Sequence, residues 1–199
     1  MNAETADAFA ASREHFEALC TVLYDEAAGG LEHSELEARL DSDGRALLRQ
    51  LMQDHLDLRA VREQRLYAVR DAEQVTHACV EADHQRHLAT VFGDVQVARL
   101  AYRARGAQNL YPGDAVLNLP PERHSHGLRR LAAVEAARGS YDDSVEAITR
   151  ASGQQLGKRQ VEQLAQRAAV DFDAFYATGS PRPGPAAMCW CCLATARAW

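Results

Sequence analysis

Residues 87–102 read HLATVFGDVQVARLAY, and here helical spacing gives way to alternation. Two β-rich runs with a period of two flank Gly93-Asp94, so the stretch is expected to fold as a β-hairpin with its turn at those two residues. The order Gly-Asp is a weaker turn signal than Asp-Gly. Helical character dominates before this stretch and resumes beyond the connection that follows it, so the fold class expected is mainly α with one β-hairpin, an α+β chain.

Upstream, Phe9, Phe16, Leu19, Cys20, Leu23 and Tyr24 recur at helical spacing from about residue 6 to residue 28, and the run stops at Gly29-Gly30. Ser34 is suited to cap a short helix through Leu40, with Glu37 completing a capping-box pattern. A longer helix is expected from Asp43 to Val69, carrying Leu47, Leu48, Leu51, Met52, Leu56, Leu58, Val61 and Leu66 among many charges. Residues 1–75 therefore form a helical region, whose plainest role is packing or self-association behind a solvated charged face.

Downstream, residues 76–122 hold the hairpin and a connection rich in Gly, Pro and Asn that runs to Leu119-Pro120-Pro121. Residues 123–177 return to helix, first from about His124 to Arg138. Ser140 then caps a helix with Asp142 and Asp143 in its positively polarised first turn, and Val145 and Ile148 give that helix an inward face. Ser152-Gly153 breaks it, Leu156 plugs the turn, and another helix starts near Lys158. There Val161, Leu164, Ala165 and Ala168 follow the core spacing, which leaves Arg159, Gln163 and Gln166 on the opposite face, flanked by Gln160 and Arg167. This is the pattern of a helix-turn-helix, and Arg, Gln and Lys are the side chains that pair with guanine, adenine and phosphate. A plain helical hairpin with a polar outer face fits the same pattern.

Composition bounds the partners. The chain has 199 residues, 47% hydrophobic and 25% charged, which is ordinary for a globular protein. Its net charge of −6 argues against a uniformly basic nucleic-acid binder, but the charge is divided. Residues 1–86 carry nine arginines against eighteen carboxylates, a balance of −9, and residues 99–167 carry eleven Lys/Arg against seven carboxylates, a balance of +4. Contact with a polyanion is expected in the second half, with Arg129 and Arg130 as further phosphate contacts. No apolar run approaches the ~20 residues that cross a bilayer, and the N-terminus lacks the basic start and apolar core of a signal peptide. No membrane partner is expected, and the expected compartment is the cytoplasm.

Catalytic and metal motifs are scarce. His84 and His87 are spaced i, i+3 on a possible helix end, and His124-Ser-His126 straddles a helix start. With no cysteine at ligand spacing and no H-E-x-x-H, these histidines read as surface residues or helix-terminus partners, and no metal site is expected. There is no G-x-S-x-G, no P-loop and no G-x-G-x-x-G after a strand, so no catalytic residue is assigned. Of the five cysteines, Cys20 and Cys79 stand alone, while Cys189, Cys191 and Cys192 are crowded and lack a fourth partner.

The strings ATVFGDVQVARLAYR (89–103), NLYPGD (109–114) and LNLP (117–120), with the later Lys/Arg-Gln-Val helix and VDFDAFY (170–176), resemble the N-terminal region of bacterial insertion-sequence transposases of the Kra type. The pattern T-x-F-G-x-V-x-V-x-R-x-x-Y is the most specific part of a resemblance spanning roughly residues 9 to 177. It implies binding to double-stranded DNA at insertion-sequence ends in DNA transposition, and the helix-turn-helix pattern assigns that contact to Lys158, Arg159, Gln160, Gln163 and Arg167. In the family this region precedes a ribonuclease-H-like catalytic domain with three metal-binding carboxylates. Divalent metal is expected only of that domain, and no cofactor of this chain.

Residues 178–199 depart from the family. Where the family places its first catalytic strand, after a Pro-rich link, this chain reads TGSPRPGP and then MCWCCLATARAW. Met and Trp have one codon each and Cys codons begin TG, so reading residues 188–192 one nucleotide earlier forces Val-Leu-Val-Leu, a buried-strand sequence. The codons beyond allow Asp-Gly-Lys-Gly. The tail is therefore expected to be a disordered, frameshifted reading of that strand, leaving the chain without its catalytic domain. Two further readings stay open: a helical self-association module that modulates full-length transposase, and a transposase active only through translational frameshifting.

Overall fold

The structure is a computed structural model that describes residues 8–169. Helix α1 (Ala10–Tyr24) has no side-chain cap of its own at Phe9. Its first turn is closed by another helix instead: Asp54 Oδ2 accepts the backbone N–H of Ser12 at 3.0 Å and its hydroxyl at 2.6 Å. The helix expected over residues 6–28 is interrupted at Asp25, which leaves the helical region of backbone space and caps a one-turn helix, α2 (Glu26–Gly29), by accepting the Ala27 N–H.

Two expected helices prove to be one, α3 (His33–Arg62), of 30 residues. It starts two residues earlier than the Ser34 cap, at Glu32, whose N–H is accepted by Glu35. It ends at Arg62, short of Val69. A mid-helix glycine costs about 1 kcal/mol relative to alanine, yet α3 runs through Gly44. Ion pairs Arg39–Asp43 (2.7 Å) and Arg45–Asp41 (2.9 Å) flank that position, and the helix packs across the sheet.

A short antiparallel ladder that alternation did not reveal follows, β1 (Val69–Arg70) with β2 (Thr76–His77). The main hairpin pairs β3 (Cys79–Thr90) with β4 (Gly93–Arg103). Its turn is Val91-Phe92, two residues earlier than expected. The Thr90 hydroxyl donates to Gly93 O (2.7 Å) and accepts the Phe92 N–H (3.2 Å), so a threonine side chain closes the loop. Gly93 is the first residue of β4, and its φ of +134° is open only to glycine at low strain. His84 and His87 lie on β3 rather than at a helix end, and a register shift falls between Glu81 and His84, with Asp83 at φ +60°.

A single turn, α4 (Pro112–Val116), interrupts the connection, and then come α5 (His126–Ala136), α6 (Tyr141–Ser152) and α7 (Lys158–Ala168). Neighbouring residues of a strand point to opposite faces, and the hairpin uses both. Leu88, Val95 and Val97 pack with Leu56 and Met52 of α3, while Ala89, next to Leu88, enters a second core with Leu128, Ala132, Ile148, Leu156, Val161 and Leu164. The end of β3 also bonds to the segment before α5, through Ala89 N–H to Arg123 O and Ser125 N–H to Ala89 O, both 2.8 Å. The hairpin thus joins the N-terminal helices to the three C-terminal ones.

Candidate nucleic-acid interface

Local chemistry sets the boundaries of the C-terminal unit. Ser125 caps α5 by accepting the Leu128 N–H, and Ser140 caps α6 by accepting the Asp143 N–H at 3.2 Å. Gly153 ends α6 in the left-handed region, at φ +69°, with its N–H on Thr149 O. Leu156 is buried in the turn, and the Gly157 N–H is accepted by Gln160 Oε1 at 2.9 Å as α7 begins. Val161 and Leu164 are fully buried, so the rotation of α7 is set. Arg159, Gln160, Gln163, Gln166 and Arg167 are all exposed, as the spacing predicts.

The side chains differ in their commitments. Arg159 and Gln163 make no hydrogen bond or ion pair among the described residues. Gln160 is partly engaged, because its side-chain oxygen caps its own helix. Lys158 Nζ reaches Asp142 Oδ2 at 2.6 Å, tying α7 to the first turn of α6, but both side chains are well exposed. Such a pair contributes about 0–1 kcal/mol, and a phosphate can replace the carboxylate. At the other end of α7, Arg167 lies 3.4 Å from Glu122, whose second oxygen meets Arg129 at 3.4 Å. Arg129 is half-buried and Arg130 is exposed on α5.

Two residues outside the sequence pattern shape this surface. Arg45 of α3 donates to the carbonyls of Ala151 (2.6 Å) and Arg150 (3.5 Å), placing a cation at the negative end of α6 and holding the unit against the N-terminal helices. No local signal in the sequence connects positions this far apart. Arg123, between Glu122 and His124, pairs with Asp94 at 2.9 Å. His124 titrates below the usual histidine range because it is partly buried and faces the charges of Arg123 and Arg167.

Among the described residues no group of three or more His, Cys, Asp or Glu is arranged to hold a metal ion. His84 bonds to Glu81 (3.0 Å) and Tyr111 (3.3 Å), and His126 to Asn118 O (2.9 Å). A groove of about 410 Å³ lies between α3, β4 and α4, floored by Leu56, Val97 and Leu117, and none of its lining residues belongs to α5, α6 or α7. No described helix is long and apolar enough to cross a membrane. Residues 170–176 and the Cys-rich tail lie outside the described residues.

No curated protein and no solved structure matches the chain. A profile of the uncharacterised protein family UPF0236 matches residues 26–177, covering the hairpin and all three C-terminal helices. The match spans well over half of the sequence, and the chain belongs to that uncharacterised family, UPF0236.

Proposed function

We propose that this chain binds double-stranded DNA through α7, as the end-binding part of a Kra-type insertion-sequence transposase acting in the cytoplasm. One observation carries the reading. The face of α7 opposite Val161 and Leu164 presents Arg159 and Gln163 exposed and uncommitted, on a helix held by α5 and α6. With 11 residues α7 is about 16 Å long. Arg159 and Arg167 are then separated by about 12 Å along the axis, comparable with the width of a major groove. Arg159 and Gln163 face base edges, while Lys158, Arg167, Arg129 and Arg130 serve the phosphates. Gln160 divides its amide between its cap and the DNA.

The test is an electrophoretic shift on the element's own ends with the full chain, Arg159→Ala, Arg167→Ala and the double variant. Both single changes weaken binding, and loss of Arg167 also lowers the salt dependence, by roughly 0.9 in the slope of log K against log salt per lost phosphate contact. A double variant that binds as well as the parent removes the assignment.

A second reading is favoured by a specific surface. Phe16 of α1 and Leu40, Leu48 and Leu51 of α3 are 38–51% exposed, and at 100° per residue the three leucines share one side of α3. Self-association through these helices would let the chain modulate a longer transposase.

A further inference from the structure

Arginines from two distant parts of the chain meet at the hairpin tip. Phe92 in the turn is 38% exposed, whereas its neighbour Val91 packs on the core of the C-terminal unit, near Gly127. From α3, the Arg49 side chain runs along Gly93 so closely that a β-carbon there would stand 2.7 Å from its Cδ. Arg49 has no hydrogen bond or ion pair among the described residues. From the other side, Arg123 meets Asp94 at 2.9 Å in a pair that is about half exposed on both partners. Glu122, the residue before Arg123, is the one that Arg167 reaches from the last turn of α7.

The tip therefore stands at the Arg167 end of α7. Among the described residues, Arg123, Arg129 and Arg167 share two carboxylates, Asp94 and Glu122, in their ion pairs, and Arg49 has none. An excess of cations beside an exposed aromatic ring suits the sugar–phosphate backbone, where the charges take phosphates and the ring lies on deoxyribose. A helix in the major groove leaves the backbone beyond its end uncovered.

We infer that the Val91-Phe92 tip is a wing that grips the DNA backbone next to the groove occupied by α7, with Arg49 and Arg123 on phosphates and Phe92 against the sugars. The inference rests on the DNA-binding role of α7 and adds a second, separately removable contact. Glu122 and Asp94 hold Arg167 and Arg123 in place in the free protein and release them to phosphate.

The test is hydroxyl-radical footprinting and salt titration of the full chain on a duplex recovered by in vitro selection with the same chain. The parent protects the groove read by α7 and a second block of sugars on one flank. Arg49→Ala/Arg123→Ala keeps the first block and loses the second, with affinity down about tenfold and the salt slope lower by roughly 2. Phe92→Ala weakens protection of the flank alone. Should the loss of Arg49 loosen α3, Arg123→Gln, at an exposed side chain, still lowers the slope by roughly 1. If Arg159→Ala abolishes binding while the tip variants keep the parent's footprint and slope, the wing is overturned and the role of α7 stands. A chain that recovers no duplex overturns both.

Discussion

Replacing Asp54 by alanine should undock α1. The carboxylate is 6% exposed and accepts three hydrogen bonds, from Ser12 N–H (3.0 Å), Ser12 Oγ (2.6 Å) and Gln50 Nε2 (2.7 Å). It caps α1 from a distance, satisfying a first-turn donor and setting a negative charge at the positive end of the helix. Burial alone would raise its pKa, but the bonds from Ser12 and Gln50 outweigh burial, with help from the charge of His15, and hold it below the usual carboxylate range.

In Asp54→Ala the Ser12 donors are left in a site where Ser12 is only 3% exposed. An unsatisfied buried donor costs about 1–3 kcal/mol, and loss of an N-cap about 1. The expected destabilisation is about 2–4 kcal/mol, limited by the ease with which α1 can leave and be hydrated. Asp54→Asn keeps an oxygen for Ser12 but turns an amide N–H₂ towards Gln50, and should cost about 1 kcal/mol. Urea unfolding gives the totals, and hydrogen exchange shows whether α1 opens first. An Asp54→Ala chain within about 0.5 kcal/mol of the parent would refute the role of Asp54 as a cap. The contribution is complete above the unfolded carboxylate value of about 3.9 and is lost as the pH falls through the lower folded value.

Three other outcomes follow. Because His124 is held below its ordinary value, the unfolded chain takes up a proton near pH 6.5 that the folded chain refuses. Stability should therefore fall on acidification from pH 7 through 6, and His124→Gln should flatten that part of the profile. Leu164→Ala, at a side chain 1% exposed in the core shared by α5, α6 and α7, should destabilise by about 2–5 kcal/mol in thermal unfolding. Leu48→Glu/Leu51→Glu in the full chain should lower the molar mass seen by light scattering if α3 mediates self-association, and a monomeric parent would remove that reading.

The C-terminal unit was legible because its signals are local. Ser140 and Gly153 are strong punctuation, and Val161 and Leu164 recur at helical spacing, so the caps and the outward direction of Arg159 and Gln163 followed from short-range rules. The hairpin was legible in kind but not in register. Gly93 attracts a turn assignment by its φ preference, yet the Thr90 hydroxyl closes the loop two residues earlier and leaves Gly93 to admit Arg49. The first half of β3 is not legible in the sequence because Glu81, Asp83 and His84 carry no apolar alternation, their strand being specified by pairing with β4. In α3 the break expected between Leu40 and Asp43 does not occur, because the ion pairs Arg39–Asp43 and Arg45–Asp41 span it and the helix packs on β4, a tertiary effect that propensity does not see. Long-range placements such as Arg45 at the end of α6, or Arg49 at the hairpin tip, have no signature in one sequence.

The most direct test of the central claim is fluorescence anisotropy of the full chain on its selected duplex, parent against Arg159→Ala/Gln163→Ala. The double variant should bind at least about 30-fold more weakly, since two base contacts worth about 1–3 kcal/mol each are removed, and should lose discrimination against scrambled duplex. Equal affinity and equal discrimination in parent and variant would show that α7 does not read DNA.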